Sequence, residues 1–213
     1  MTKTSTARPR RRSVHRRVIA SLATMAAVAA ALVAFAPAAP SAEAVFSGST
    51  GRTGCTAVNM GHTSKPTLFY VDLTTKVSTA QEWVRDYVID KTHINTYKDS
   101  SQDTLTSIVF KDSDYVSVCG YDWYNEIEGG TLALTTCETI YTSGDCKQHT
   151  IRVSTVYTDG ASLSQRRGLM CHESGHAFGL MHTSNTGSCM KFGDSSPAQN
   201  WDSSEIAQIN ANY

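Results

Sequence analysis

The sequence lacks several features that would assign it to common classes of protein. Residues 45–213 contain no tract of clustered Lys and Arg, and the chain has no internal repeat, heptad array or recognisable linker. Clustered cations are what bind the phosphates of nucleic acids, so their absence argues against a nucleic acid partner. The lack of a linker agrees with a single domain after the N-terminal segment.

The formal net charge of zero combines two unlike parts of the chain. Seven of the 19 basic residues and one of the 19 acidic residues lie within residues 1–44, so residues 45–213 keep 12 basic and 18 acidic residues, a net charge of −6. A hydrophobic content of 40%, with nine Tyr and three Trp, can supply a core and argues against disorder. These 169 residues are enough for one domain and too few for two of ordinary size.

The first 44 residues have the composition of a secretory signal peptide. An Arg-rich start precedes an apolar run over residues 18–36, and the small-residue triplet Ala42, Glu43, Ala44 follows it. We expect cleavage after Ala44, secretion to the extracellular space and no membrane attachment afterwards. The alternative is an uncleaved membrane anchor, because the apolar run approaches the ~20 residues that span a bilayer. The chain is thus predicted to consist of a signal peptide, 1–44, and one domain, 45–213.

All six cysteines lie within residues 45–213, and an even number behind a signal peptide predicts three disulfides. No C-x-x-C pair occurs, which argues against a zinc knuckle built from cysteines. The predicted pairs are Cys137 with Cys146 across a short loop, Cys171 with Cys189 on either side of a histidine-rich segment, and Cys55 with Cys119 by elimination.

The hydrophobic pattern predicts helices together with a small sheet, an α+β fold. Apolar runs bounded by turn residues predict strands at residues 68–71, 107–110, 115–119, 131–141 and 150–157. An amphipathic pattern predicts a helix with Ser78 as its N-cap and with Trp83 and Tyr87 packed in the core. A second helix is predicted over residues 164–179.

Four aspartates form an acidic patch in the sequence: Asp99, Asp103, Asp112 and Asp114. Carboxylates of this kind can coordinate Ca²⁺, but their spacing is not that of a calcium-binding loop. Solvated turns account for them as well, so calcium is kept only as an alternative cofactor.

The histidine-rich segment, residues 172–182, reads H-E-x-x-H-x-x-G-x-x-H. His172 and His176 are one helical turn apart, so both imidazoles project from one face and can hold one Zn²⁺. Glu173 can reach a water on that metal without binding the metal itself. Gly179 can adopt the left-handed conformation that ends the helix, which would return His182 as a third ligand. Three protein ligands leave one position open, as catalytic zinc sites do.

This motif resembles that of the metzincins, zinc endopeptidases that combine it with a methionine in a tight turn. Met190 stands at the position that matches this methionine. The spacing, together with residues 201–213, is most similar to the catalytic domains of matrixins, which close with a similar helix. Residues 130–134 resemble the matrixin edge strand along which peptide substrates lie. Snapalysins are a more distant resemblance, because they have Asp where this chain has His182.

The resemblance implies a metzincin-like fold: a small twisted mixed sheet with an upper helix, an active-site helix and a C-terminal helix. It implies a secreted, monomeric endopeptidase for protein or peptide substrates, with one catalytic zinc on the three histidines. Zinc would activate a water, and Glu173 would act as general base and then general acid. Met190 would support the metal site by packing. The alternative function is a zinc-containing binding or inhibitory domain with little turnover.

Two departures from the matrixin pattern affect these expectations. Leu134 stands about where matrixins place a histidine for a second, structural zinc, so one zinc is expected here. Cys55 has a second possible use, as a thiolate that caps the zinc, although the predicted disulfide with Cys119 accounts for it more simply.

Overall fold

The structure is a computed structural model, and the part of the chain that it describes contains a mixed sheet and four α-helices. It describes residues 67–119, 131–191 and 199–213, and the backbone alone at residues 51–53, 56–58 and 121–122. The predicted signal peptide and its cleavage site lie outside the described residues, as does Cys55. The described residues belong to one compact unit of the chain.

The strands and the helices are numbered separately in chain order. The strands are β1 (Gly51–Thr53), β2 (Thr56–Val58), β3 (Thr67–Asp72), β4 (Thr96–Lys98), β5 (Ile108–Ser113), β6 (Ser117–Val118), β7 (Tyr121–Asp122), β8 (Ala133–Ile140) and β9 (Cys146–Ser154). The helices are α1 (Thr75–Tyr87), α2 (Thr155–Gly160), α3 (Leu163–Ala177) and α4 (Ser203–Asn212), and a short 3-10 helix spans Ile89–Lys91.

The main sheet has the strand order β2-β1-β8-β9-β5-β3-β4. Strands β4, β3, β5 and β9 are parallel to one another, whereas β8 runs antiparallel to β9. Strand β1 pairs with β8 and also with β2, and β6 and β7 form a separate hairpin. The five strands from β8 to β4 are therefore mostly parallel, and the mixed sheet expected from the sequence is present.

One hydrophobic core joins the sheet to the helices. Alternate residues of β5 and β9 contribute side chains from the same sheet face: Ile108, Phe110, Ile151 and Val153. Helices α1, α3 and α4 cover that face through the side chains of Val84, Met170 and Ile209. Helix α3 also packs directly against β8, the antiparallel strand. This packing places the histidine-bearing helix beside β8.

The start of α1 differs from the sequence prediction. The N-cap is Thr74 and not Ser78, so the helix begins about one turn earlier. The backbone N–H and the hydroxyl of Thr74 donate to the Asp112 carboxylate of β5 at 2.9 and 2.6 Å. A carboxylate at a helix start satisfies N–H groups that would otherwise lack a partner. Because this cap comes from another strand, the local pattern around Ser78 could not reveal it.

The buried face of α1 also differs from the prediction. The buried side chains are those of Val77, Ala80, Gln81 and Val84. Tyr87, predicted in the core, is 58% exposed and stacks on Trp83 with ring centroids 5.4 Å apart. Trp83 packs against the edge of the core and is only partly buried. The buried stripe of α1 starts at Val77, and Tyr87 falls outside it.

The segment predicted as a strand at residues 150–157 is a strand in its first part and a helix in its second part. Strand β9 begins earlier, at Cys146, and ends at Ser154, after which α2 begins at Thr155. The β-branched residues Thr155 and Val156 favour strands in isolation, but here they form the first turn of α2. The Thr158 hydroxyl donates to the carbonyl of Ser154 at 2.9 Å across that turn.

Two of the predicted disulfides are present. Cys137–Cys146 joins β8 to β9 across the hairpin turn at Gly144, which has a φ of 93°. Cys171–Cys189 joins α3 to the segment that precedes α4. Cys119 is also disulfide-bonded, but its predicted partner lies outside the described residues. None of the helices in the described ranges is long and apolar enough to cross a membrane.

Candidate metal centre

Helix α3 carries two of the three motif histidines, and local hydrogen bonds define both of its ends. At the start, Ser162 and Gln165 form a reciprocal capping box. At the end, Gly179 has a φ of 91°, its N–H donates to the His176 carbonyl, and the N–H of Leu180 donates to the Gly175 carbonyl, both at 2.9 Å. This pair of bonds is a Schellman motif, which glycine favours because it has no Cβ. The chain turns back immediately after α3, as the sequence motif predicts.

The turn brings the three motif histidines together. The Nε2 atoms of His172, His176 and His182 lie 3.1 Å from one another in all three pairs. Two nitrogens that bind one tetrahedral zinc at about 2.0–2.1 Å are about 3.3 Å apart, so the triangle is close in size to one face of a zinc coordination tetrahedron. It is also the only cluster of three potential metal-ligating side chains found among the described residues.

Hydrogen bonds at the opposite ring nitrogens fix how two of these rings are protonated. Nδ1 of His172 lies 2.7 Å from the carbonyl oxygen of Cys189, and Nδ1 of His176 lies 2.8 Å from that of Leu180. A carbonyl only accepts, so each Nδ1 carries the proton and each neutral ring presents a lone pair at Nε2. Lone pairs 3.1 Å apart repel one another, whereas a cation between them attracts all of them. The donor set therefore suits a metal ion.

The electrostatics of the cluster favour the neutral form of His176 and His182. Burial, together with His172, lowers the pKa of His182 to about 4. Burial and the two neighbouring histidines lower the pKa of His176 well below the ordinary histidine value. Neutral imidazole is the form that binds metals, so both rings are ready ligands at neutral pH. Three imidazoles with an open side fit zinc by the chemistry of the donor set.

A tight turn around Met190 packs next to the three histidines. The N–H of Thr183, the residue after His182, donates to the carbonyl of Met190 at 2.9 Å. The Met190 side chain is fully buried and packs against Gly175 on α3, where a Cβ would lie only 2.2 Å from its Sδ atom. The turn therefore contacts His172 directly, through the Cys189 carbonyl, and it contacts the residues next to His176 and His182 in the chain.

Helix α4 anchors this turn through a buried carboxylate. The Ser188 hydroxyl lies 2.7 Å from Glu205 Oε2 and accepts from the Met190 N–H at 2.9 Å. Glu205 also forms a capping box with Asp202 at the start of α4. Burial raises the pKa of Glu205, and the negative charge of Asp202 adds to this effect. The C-terminal helix thus positions the turn on which the ligand geometry depends.

Glu173, the predicted general base, is 5% exposed and contacts β8. The hydroxyl of Thr135 lies 2.6 Å from Glu173 Oε2 and 3.0 Å from the Glu173 backbone oxygen. Burial raises the pKa of Glu173, while His172 and hydrogen bonds from Thr135 act in the opposite direction. A carboxylate with a raised pKa next to a candidate metal ligand has the properties of a proton acceptor and donor.

The four aspartates considered for calcium do not form a shared site. Asp99 accepts from the Thr106 hydroxyl at 2.6 Å, Asp103 accepts from the Leu105 N–H at 2.7 Å, and Asp112 caps α1. None of them belongs to a group of three potential ligands within the described part of the chain. Asp99 and Asp103 serve local turns, and Asp112 serves a helix start.

Several residues of the centre were not identified from the sequence. A glycine inside a helix costs about 1 kcal/mol relative to alanine, so its presence indicates a packing reason. Gly175 could therefore have been identified from the sequence as a site of close packing. The D-x-x-E pattern of Asp202 and Glu205 signalled a helix start, but not its contact with Ser188. Thr135 had no signal in the sequence, because it meets Glu173 only through the packing of β8 on α3.

Removal of the Cys171–Cys189 disulfide is expected to lower the free energy of unfolding by about 2–4 kcal/mol. The bond closes a loop with a sequence separation of 18 and joins α3 to the turn that holds His172. The double variant Cys171→Ser/Cys189→Ser is to be compared by urea unfolding with Cys137→Ser/Cys146→Ser, whose loop has a separation of 9. The shorter loop should lose less, by about 0.6 kcal/mol. Parent-like stability of the Cys171→Ser/Cys189→Ser variant under oxidising conditions would show that this disulfide does not stabilise the fold.

Comparisons with known proteins give little that bears on identity. No family model matches the chain, and no curated protein matches it. Among solved structures, it is similar to the crystal structure of archaemetzincin from Archaeoglobus fulgidus in complex with malonate. The sequence identity is 12%, the TM-score is 0.40, and the match covers 67% of this chain and 99% of that chain. At this level of similarity we draw neither fold nor activity from it.

Proposed function

We propose that this protein is a secreted zinc endopeptidase with a metzincin-like fold, most similar to the matrixin catalytic domain. The observation that carries the proposal is the triangle of Nε2 atoms from His172, His176 and His182, with a buried glutamate on the same helix. The Nδ1 bonds to backbone carbonyls support it, because they direct lone pairs to one point.

The side chains of the centre divide the chemistry of peptide hydrolysis between them. A zinc ion held by the three histidines would supply a Lewis acid that polarises a peptide carbonyl and acidifies a water molecule. Glu173 takes the proton of the attacking water and returns it to the nitrogen of the leaving amine. Met190 supports the centre by packing against Gly175 and does not bind the metal.

We propose further that substrates are proteins or peptides which lie along β8 near residues 130–134. Among the described strands, β1 pairs with β8 at Cys137 alone. The N-terminal half of β8 therefore pairs with β9 along one edge and with no described strand along the other. Such an edge can pair with an extended peptide. The net charge of −6 after residue 44 favours protein substrates over nucleic acids. We propose a monomer that acts outside the cell after removal of residues 1–44 and has no membrane attachment.

The second candidate function is a zinc-containing binding or inhibitory domain with little turnover. The triangle of histidines alone would serve it equally well. Glu173 separates the two candidates, because a binding domain has no use for a carboxylate that is buried at cost beside the metal ligands.

Zinc removal is expected to abolish proteolysis reversibly. The exported protein should cleave casein, lose the activity when a chelator removes the metal, and recover it when zinc is restored at one ion per chain. Zinc content is measured in every sample, and circular dichroism checks that the metal-free chain remains folded. Cleavage that persists after complete removal of zinc would contradict the proposed function. Stoichiometric zinc without cleavage of any unfolded protein would favour the binding domain.

A further inference from the structure

Thr135 lies on β8 where this strand passes the active-site helix. Its Oγ1 atom is 2.6 Å from Glu173 Oε2 and 3.0 Å from the backbone oxygen of Glu173. Both side chains are nearly excluded from solvent, at 7% exposed for Thr135 and 5% for Glu173. The contact is therefore a buried hydrogen bond to the carboxylate that the proposed reaction uses.

The hydroxyl has one proton, and its partner is the carboxylate. The backbone oxygen of Glu173 lies inside α3, where the N–H of Ala177 is its regular helical donor. An ionised carboxylate oxygen forms the shorter and stronger bond, in agreement with the two distances. Donation to Oε2 thus satisfies the buried charge without competing with the helix.

We propose that Thr135 is a positioning residue which holds Oε2 of Glu173 and so leaves Oε1 for the proton of the attacking water. The terminal torsion of a glutamate has a broad energy profile, so an unrestrained carboxylate samples many orientations. Threonine is suited to restrict it, because its branched side chain is stiff at χ1 and sits on a strand of the main sheet. This inference rests on the proposed function and adds a residue to it.

The neighbouring Thr136 supplies a matched control. It is also fully buried on β8, but it points to the opposite face of the strand, where its hydroxyl contacts Glu138 at 2.8 Å. A change of threonine to valine removes one buried hydroxyl and keeps the shape at either position. Only the change at Thr135 alters the surroundings of Glu173.

The test compares Thr135→Val, Thr135→Ala, Thr135→Ser and Thr136→Val with the parent, all zinc-loaded, in kcat and KM for a fluorogenic peptide cut by the parent. Loss of the hydroxyl at Thr135 is expected to lower kcat by about 10–100-fold with KM within about threefold, because misplacement by ~1 Å can cost 10²-fold. Thr135→Ser should restore kcat to within about threefold of the parent. Thr136→Val should keep the parent kcat.

Three further readouts do not depend on turnover. Zinc content and melting temperature identify variants that fail to fold, and Thr135→Ala replaces Thr135→Val if valine does not fit. A crystal structure of the zinc-loaded valine variant should show the Glu173 carboxylate rotated from its place in the parent. An unchanged carboxylate, an unchanged kcat, or a serine variant as slow as the valine variant would each overturn the positioning role.

The outcomes also separate this inference from the proposed function. A parent that binds zinc and cleaves nothing refutes the endopeptidase and the role of Thr135 with it. A parent that cleaves, alongside an equally fast Thr135→Val variant, refutes the role of Thr135 alone.

Discussion

Replacement of Glu173 by glutamine is expected to lower kcat for peptide hydrolysis by about 10²–10⁴-fold, the usual contribution of a general base, and to leave zinc content unchanged. Glutamine has the same shape and its amide oxygen can still accept from Thr135, so the packing of β8 on α3 is kept. It cannot take a proton from water, so the loss reports the chemical step. Stopped assays with casein and a synthetic peptide, together with metal analysis, measure both quantities.

Two companion variants make this result specific. Glu138→Gln changes another partly buried carboxylate, which lies on β8 and pairs with Arg152 at 2.9 Å, and should keep the parent activity. Glu173→Asp keeps the base but draws it back by one methylene, a displacement of about 1 Å, and should lose on the order of 10²-fold. Parent-like cleavage by the glutamine variant would show that another group is the base.

Substitution of Gly175 by alanine is expected to destabilise the protein by up to about 2 kcal/mol and to weaken zinc binding. The new Cβ would lie 2.2 Å from Met190 Sδ and 2.9 Å from Trp201 Nε1. Alanine gains about 1 kcal/mol of helix propensity over glycine, but overpacking of a filled core costs about 1–3 kcal/mol and also moves the Met190 turn. Since that turn contacts His172 and precedes α4, its shift disturbs the ligand triangle.

Urea unfolding and zinc competition titration measure these effects. Gly160→Ala is the matched control, because a Cβ at Gly160 meets nothing within 4 Å, and its free energy of unfolding should change by less than about 0.5 kcal/mol. Met190→Ala removes the atoms that lie nearest to the new Cβ, so the double variant should lose less stability than the two single variants together. Additive losses would show that Met190 is not the source of the strain.

The histidine motif could be interpreted without a structure because its information is local. Helical periodicity alone places His172 and His176 on one face, and glycine alone takes the φ of 91° that ends α3 at Gly179. The hairpin disulfide Cys137–Cys146 was readable for the same reason, since its cysteines flank a short turn.

Predictions that depend on distant contacts were less accurate. The N-cap of α1 is decided by Asp112, 38 residues away, and the burial of its faces depends on how the helix sits on the sheet. Tyr87 therefore lies in solvent although the sequence pattern placed it in the core. The β-branched run after Ser154 is helical for a related reason, because strand propensity is weak compared with tertiary context.

The sequence by itself determined the chemistry that is available: three imidazoles, one carboxylate and a helix-ending glycine. Their spacing is the one that a regular helix needs to place two of the imidazoles on one face. Only the tertiary structure decided how those groups are held. The Cys189 carbonyl on His172, the Met190 sulfur against Gly175 and the Thr135 hydroxyl on Glu173 all join segments that are remote in the chain. Hydrogen bonds and packing act over a few ångströms, so such contacts exist only after the sheet and helices have come together.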